Sequence, residues 1–406
     1  MSSSDLSSEG SASDAGLQAT RQALRSAYSR AGRPWSAHLD VTYRCDLDCQ
    51  HCYLDDRKNW PELTTAEWLA TLDQLAQLGV LQLSWSGGEL LLRKDFGLLL
   101  DRARQLGFAS SLRSHLGLMT AEIAQAWRNA GVESVRTSIY SLDEARHDAF
   151  TRRPGSLRAT LAGLQQLVDA GLQPGADVIL QAQTIEDVPA MVEFFAERGV
   201  KVEFSTSIFR DHRAEPHLDL LDLTSDQRVR ARELIFRHHK PFADVHAPAS
   251  AQPEEGPCSA GRSYFYIAPD GAVWPCVMFP MAIGHLREHS LQEIWDFSPE
   301  RQALAQWKNK DRGGCLSCAG SEACFYCPGE AYKNTGDFRN PPAHFHGRAR
   351  DMMQALELVH GPRYSAEEWA SVPSGGARSP RPERFLFPIY RPSKHRGARV
   401  TPAKKP

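Results

Sequence analysis

The sequence predicts an α/β fold: a partial (β/α)6 TIM-like barrel followed by a small cysteine-rich domain. Three observations carry this. Between residues 37 and 210, β-like runs alternate with amphipathic helical stretches about six times, the grammar of parallel βα units and short of the eight that close a full barrel. Most of the helical stretches stop at a glycine, the residue best suited to the left-handed turn past a helix end. From residue 211 the alternation fails, and six of the nine cysteines fall between Cys258 and Cys327.

The elements follow in order. Residues 1–36 read as a disordered segment, since the Ser-rich start lacks apolar content. Leu39-Asp40-Val41-Thr42 alternates as a first strand. Thr64 opens a capping box completed by Glu67, and Trp68, Leu69, Leu72, Leu75 and Leu78 recur at helical spacing up to Gly79. Further strands are expected at 81–85, 109–113, 132–140, 177–183 and 200–205, with helices ending before Gly107, Gly131, Gly171 and Gly199. Residues 211–257 read as a connector with one helix at 225–238, where His212, His217, His238, His239 and His246 suit a solvated surface. The cysteine-rich domain spans 258–347. A C-terminal segment, 348–372, holds a helix at 348–360, and 373–406 is a Pro-rich tail with nine Lys or Arg against one Glu from Arg378 onward.

Composition narrows the classes. A length of 406 residues suits two or three domains with a large core. No run approaches the ~18 apolar residues of a membrane span. With 47 Lys plus Arg against 49 Asp plus Glu, the chain has no overall charge that would recruit nucleic acid or a membrane surface. The amino terminus has no basic or apolar signal region, so a cytoplasmic protein is expected. In that reducing compartment nine cysteines are better read as metal ligands, nucleophiles or core residues than as disulfides.

Spacing then decides. Directly after the first strand stands Cys45-Asp-Leu-Asp-Cys49-Gln-His51-Cys52. Three thiolates within eight residues, on a loop at the carboxyl end of a barrel strand, can close around three corners of a [4Fe–4S] cluster and leave the fourth iron open to a substrate. A three-Cys zinc site or buried thiols are the alternatives, although His51 lies too close between two thiolates to complete a tetrahedron easily. After the second strand, Ser86-Gly87-Gly88-Glu89 offers glycines for close backbone approach and a carboxylate suited to an ammonium group.

These motifs resemble the radical S-adenosylmethionine (radical SAM) superfamily, over roughly residues 37–205. The resemblance implies that Cys45, Cys49 and Cys52 hold the cluster and that its open iron chelates S-adenosylmethionine. Reductive cleavage then yields a 5′-deoxyadenosyl radical that abstracts hydrogen from a substrate. It also implies cofactor-binding roles for Gly87, Gly88, Glu89, Ser138 in Ser138-Ile139-Tyr140, and His51. At Ser114-His115-Leu116 many relatives carry Thr-Asn-Gly, and nothing is carried over to those three residues.

The second cysteine group, Cys258, Cys276, Cys315-x2-Cys318-x5-Cys324-x2-Cys327, contains two C-x2-C pairs that by themselves also suit a zinc ribbon. Together with Pro269-Asp270-Gly271, Cys327-Pro-Gly-Glu-Ala-Tyr332 and Thr335-Gly-Asp337 it resembles the SPASM domain, an auxiliary iron–sulfur module of radical SAM maturases. The resemblance implies two auxiliary clusters of the [4Fe–4S] type, with Cys258, Cys276 and Cys327 on the first and Cys315, Cys318 and Cys324 on the second. Each set is one ligand short of the family pattern. His346 stands where a terminal cysteine is expected for the second, and imidazole is a legitimate cluster ligand.

The implied activity is modification of a ribosomally made peptide or protein side chain by hydrogen abstraction, with an external electron donor such as flavodoxin or ferredoxin. No catalytic acid or base is assigned. Maturation of a tetrapyrrole or other small cofactor is the rival within enzymes. A non-catalytic iron–sulfur carrier or a zinc-binding protein is the rival outside them. Only some 36 residues precede the barrel, so leader recognition is expected from a separate partner protein or from the basic tail.

Overall fold

The computed structural model of the chain describes residues 20, 22–54, 60–211, 216–239 and 253–375. Six parallel strands form the barrel wall: β1 (Ser36–Asp40), β2 (Gln82–Ser86), β3 (Ala109–Arg113), β4 (Val132–Ile139), β5 (Pro174–Ile179) and β6 (Lys201–Ser205). They lie in the order β6-β5-β4-β3-β2-β1. The sheet continues past β1. There β7 (Tyr264–Ile267) pairs parallel to β1, and β8 (Ala272–Trp274) and β9 (Gly284–His285) follow antiparallel. The cysteine-rich domain is thus joined to the barrel edge to edge.

Period-two alternation gives each barrel strand two faces. Ala37, Leu39, Leu83, Trp85, Leu112, Val135, Ile139, Ala176, Val178 and Val202 all enter the main apolar core. The helix Thr65–Gln77 covers that face with Trp68, Leu72 and Leu75. It starts at Thr64, whose hydroxyl receives the Glu67 N–H (3.3 Å) while the Glu67 carboxylate receives the Thr64 N–H (2.7 Å). Truncating the fully buried Trp85 to Ala would cost about 3–5 kcal/mol.

Three expectations need correction. Residues 22–30 are helical, although 1–36 were expected to be disordered. Ala- and Arg-rich spacing favours that helix, and Tyr28 packs edge-on against Trp35 at 5.2 Å. The fifth strand is Pro174–Ile179 rather than 177–183. Proline is tolerated at a strand's first residue, and Gln181 and Thr184 close a turn on each other that ends the strand early. The C-terminal helix begins at His344, not at 348, because the turn Pro342-Ala343-His344-Phe345 runs straight into it. His346 therefore sits in a first helical turn. The connector helix is Ser225–His238, as expected, with His238 exposed and His239 half-buried. His212, His246, the His217 side chain and residues 376–406 of the basic tail lie outside the described residues.

Candidate iron–sulfur and cofactor site

Beyond Asp40 the chain runs through Val41-Thr42-Tyr43-Arg44 into the three-Cys loop, and the loop after β2 is laid directly on this stretch. Gly88 N–H donates to Thr42 O and Glu89 N–H to Arg44 O, both at 2.8 Å. A Cβ on Gly87 would stand 2.4 Å from Thr42 O, and one on Gly88 2.1 Å from Arg44 O. Gly87 also has φ +138°. Both glycines are therefore fixed by the approach of one backbone to another, at the root of the cysteine loop. The far side of the loop is tied to the helix Glu144–Thr151, through Asp48 N–H to Thr151 O (3.1 Å) and Gln50 N–H to Phe150 O (3.0 Å).

This anchoring brings Cys45, Cys49 and Cys52 together, all half-buried and free of disulfides. Burial, then the neighbouring thiols Cys52 and Cys45, push Cys49 up to about 12, with a hydrogen bond from Tyr140 working the other way. A desolvated Cys49 thiol repelled by two thiol neighbours on one loop is relieved by binding a cation in common with them, which fits an iron–sulfur cluster. Tyr140 is also hydrogen-bonded to Ser138, so Ser138 reaches the thiols through Tyr140. His51 lies 5.2 Å, centroid to centroid, from both Tyr140 and Phe150. Burial lowers its pKa to about 4, and its Nδ1 is enclosed without a hydrogen-bond partner.

Glu89 is fully buried, and its carboxylate is filled by this chain's own donors: Ser114 Oγ (2.8 Å), His115 N–H (2.9 Å) and Leu91 N–H (3.0 Å). Ser114 and His115 are site residues that sequence reasoning left aside. His115 Nε2 lies 2.9 Å from Asp46 and 3.2 Å from Glu89. One ligand atom each from Cys45, Asp46 and His115 fall within 4.8 Å of one another. Burial alone would lower the His115 pKa, but hydrogen bonds to Asp46 and Cys45 and the charge of Glu89 lift it to about 10. A cation thus stands beside the thiols. The signal was positional: Ser114-His115 directly follows β3, one strand over from Glu89. Leu116 holds φ +61° there, a left-handed backbone that glycine ordinarily supplies.

The concave face of the barrel is polar. Arg113 donates to Asp177 (2.8 Å), and Arg136 donates to Asp177 (2.9 Å) and pairs with Glu203 (2.9 Å), linking β3 to β6. On the other wall, buried Asp40 accepts from Tyr266 Oη (2.8 Å) and Tyr53 Oη (3.0 Å) and contacts His38 Nε2 (3.0 Å). Tyr53 follows Cys52, and Tyr266 lies on β7, so one carboxylate ties the cysteine loop to the second region. Burial, then the nearby Cys276 and Asp40, raise the pKa of Tyr264, with Arg113 opposing. The β7 face therefore stands between the barrel interior and the second group of thiols.

Those thiols fall into two sets. Burial pushes Cys327 up to about 12, with Glu330, Cys276 and Cys258 adding to it. Cys276 is pushed up to about 11 by burial and by Cys258, while Lys333 opposes. Burial pushes Cys324 up to about 11, with Arg312 opposing and Cys315 and Cys318 adding. Cys258, Cys276 and Cys327 thus form one neighbourhood, and Cys315, Cys318 and Cys324 another. The helix His344–His360 packs on the second through Met353, which joins Cys318 and Ala323 in one apolar cluster. His346 lies two turns before Met353, on the same side of that helix.

Comparison with known proteins agrees with this geometry. Residues 39–195 match the radical SAM superfamily model, and residues 258–319 match SPASM, an iron–sulfur cluster-binding domain. Among solved structures, SuiB of Streptococcus suis bound to S-adenosylmethionine aligns over 76% of each chain at 19% identity and a TM-score of 0.57. SuiB bound to precursor peptide SuiA aligns over 79% of this chain and 78% of that one, at 17% identity and 0.60. The protein anSMEcpe with bound AdoMet aligns over 80% of this chain and 97% of that one, at 13% identity and 0.64. At such identities the likeness is one of fold. Among the described residues no helix is long and apolar enough to cross a membrane. With the two matched domains and the thiol neighbourhoods in place, the chain is a member of the radical SAM superfamily with a C-terminal SPASM domain, and S-adenosylmethionine and iron–sulfur clusters are its cofactors.

Proposed function

We propose that this enzyme modifies a side chain of a ribosomally made peptide or protein by hydrogen abstraction. The observation that carries the reading is the polar inner face of strands β3 to β6, which approaches β7 where Arg113 acts on Tyr264. A closed eight-stranded barrel fills its interior with branched apolar side chains, whereas this six-stranded one presents Arg113, Arg136, Asp177 and Glu203. Such a surface can hydrogen-bond the amides of an extended peptide. Two proteins of the same fold, SuiB and anSMEcpe, have been solved with peptides bound, which favours the same substrate class here.

When bound, the cluster and S-adenosylmethionine supply a 5′-deoxyadenosyl radical. The chain's own contribution is positional. Cys45, Cys49 and Cys52 would hold the cluster. The glycine contacts at Thr42 and Arg44 fix the loop's height above β1, while Glu89, Ser114 and His115 lock its neighbours. Tyr140 and Ser138 close the wall toward β4. Cys258, Cys276 and Cys327 would hold one auxiliary cluster. Cys315, Cys318 and Cys324 would hold a second, with His346 as the candidate fourth ligand.

The test uses anaerobically reconstituted protein, a reductant, S-adenosylmethionine and each short peptide encoded beside its gene. Loss of hydrogen from one peptide, read by mass spectrometry together with 5′-deoxyadenosine, is the expected result. Turnover of a porphyrin with no change in any neighbouring peptide would move the assignment to tetrapyrrole maturation.

A further inference from the structure

Where β6 ends, a cavity of about 340 Å³ opens between the barrel and the SPASM region, with Cys327 in its wall. Its lining is mostly apolar, including Phe204, Phe209, Phe345 and Met352, with exposed Phe325 at the rim. Into this lining comes Arg232, from the helix Ser225–His238, with only 6% of its surface exposed. Among the described residues its one direct bond is from Nη1 to the carbonyl of Arg348 (2.9 Å).

The other cations nearby are matched. Arg228 pairs with Asp351 (2.6 Å) and Asp222 (3.5 Å), and Arg348 pairs with Glu330 (2.9 Å) and Asp222 (3.2 Å). Glu330, which also lines the cavity, is spent on Arg348 and His344. Among the described residues no carboxylate pairs with Arg232. Burial first, then Arg228, work against its charge, with Asp351 only partly offsetting them. An arginine cannot shed its proton to escape this cost, so the cavity holds a desolvated cation in want of an anion.

We propose that this cavity is an anchoring subsite for a carboxylate on an apolar residue of the substrate peptide, received by Arg232. The substrate class rests on the peptide reading above; the carboxylate rests on Arg232 itself. One guanidinium suits a singly charged, planar carboxylate better than a dianionic phosphate, which would find no second free cation in the wall. The aromatic lining suits an adjacent apolar side chain. A peptide anchored here would run from the β6 end of the barrel mouth past Cys327.

The probe is N-acetylphenylalanine, compared with its amide, titrated calorimetrically into the anaerobic, iron-loaded full chain. Wild type should bind the acid at least about tenfold tighter than the amide, the size expected of one charge-assisted contact. Arg232→Gln should abolish that preference, and Arg232→Lys should keep most of it. Ser207→Phe, which fills the cavity without touching the charge, should remove acid binding and decides the matter if Arg232→Gln does not fold. Equal binding of acid and amide, no binding of either, or wild-type affinity for the acid in Arg232→Gln or Ser207→Phe would overturn the subsite. A chain that prefers the acid yet never alters a peptide keeps the subsite and loses the peptide reading. One that alters peptides with no such preference loses only the subsite.

Discussion

The barrel thiols and the first auxiliary set are assembled in opposite ways. Cys45, Cys49 and Cys52 come from eight consecutive residues, pinned by backbone bonds to Thr151 and Phe150 and by the Gly87-Gly88 turn at their root. Cys258 and Cys276 flank the antiparallel β7–β8 hairpin. Cys327 reaches them from some fifty residues on because helix Pro328–Thr335 packs on the chain beyond Cys276, Tyr332 lying against Phe279 at 5.1 Å. The hairpin is itself joined to β1 along Ser36–Leu39. The first site is preorganised by a short loop, while the second depends on the tertiary joint. Damage to the joint should therefore reach the auxiliary iron long before it reaches the barrel iron.

The largest expected effect sharpens this contrast. Replacing all three barrel cysteines by Ala should remove about a third of an iron content of about twelve per chain, leaving the two auxiliary sets loaded. Iron and sulfide analysis after anaerobic reconstitution reads it, and zinc in place of the auxiliary iron would break the comparison. Next comes Cys327→Ala, which should empty one auxiliary set while S-adenosylmethionine cleavage without peptide falls by less than about tenfold. A smaller loss should follow His346→Ala, confined to iron of the Cys315, Cys318 and Cys324 set. His346→Cys should restore that iron and lower its reduction potential, since a thiolate stabilises the oxidised cluster.

The joint itself is tested by Tyr266→Phe. It deletes one donor to buried Asp40 and should cost about 1–3 kcal/mol, seen as a lower thermal midpoint, with auxiliary iron lost first on heating. Smallest is Glu67→Gln at the surface contact with Arg287 (2.7 Å), worth less than about 1 kcal/mol. A hydrogen bond from Arg287, opposed by burial and aided by Thr64, holds the Glu67 carboxyl down to about 2. Its folded value is depressed, so the stabilisation is complete above the ordinary 4.5 and drains away only as pH falls from there toward 2. The difference between wild type and Glu67→Gln should accordingly stay flat from about pH 8 to 5 in denaturant titrations.

What could be read in advance follows the same division. The C-x3-C-x2-C loop, the Thr64 capping box and the helix Ser225–His238 are local patterns, and all are legible in a single stretch of chain. Gly87 and Gly88 were legible as glycines that some close approach demands, but not their partners, Thr42 and Arg44, which belong to another strand end. His115 was opaque because its meaning lies in Asp46 and Glu89. Tyr266 was opaque too, since nothing in an alternating strand foretells a bond to a carboxylate 226 residues earlier. The fifth strand was placed three residues late because Gln181-Ala182-Gln183 continues an alternation that the Gln181–Thr184 turn interrupts.

The central claim is that the Cys45–Cys52 loop holds the reactive cluster. It is tested most directly by incubating the anaerobic, dithionite-reduced chain with S-adenosylmethionine and counting 5′-deoxyadenosine and methionine. Wild type should release the two in equal amounts, and Cys49→Ala, with its auxiliary iron intact, should release neither. Equal yields from both proteins, or none from a wild type carrying its full iron, would contradict the account.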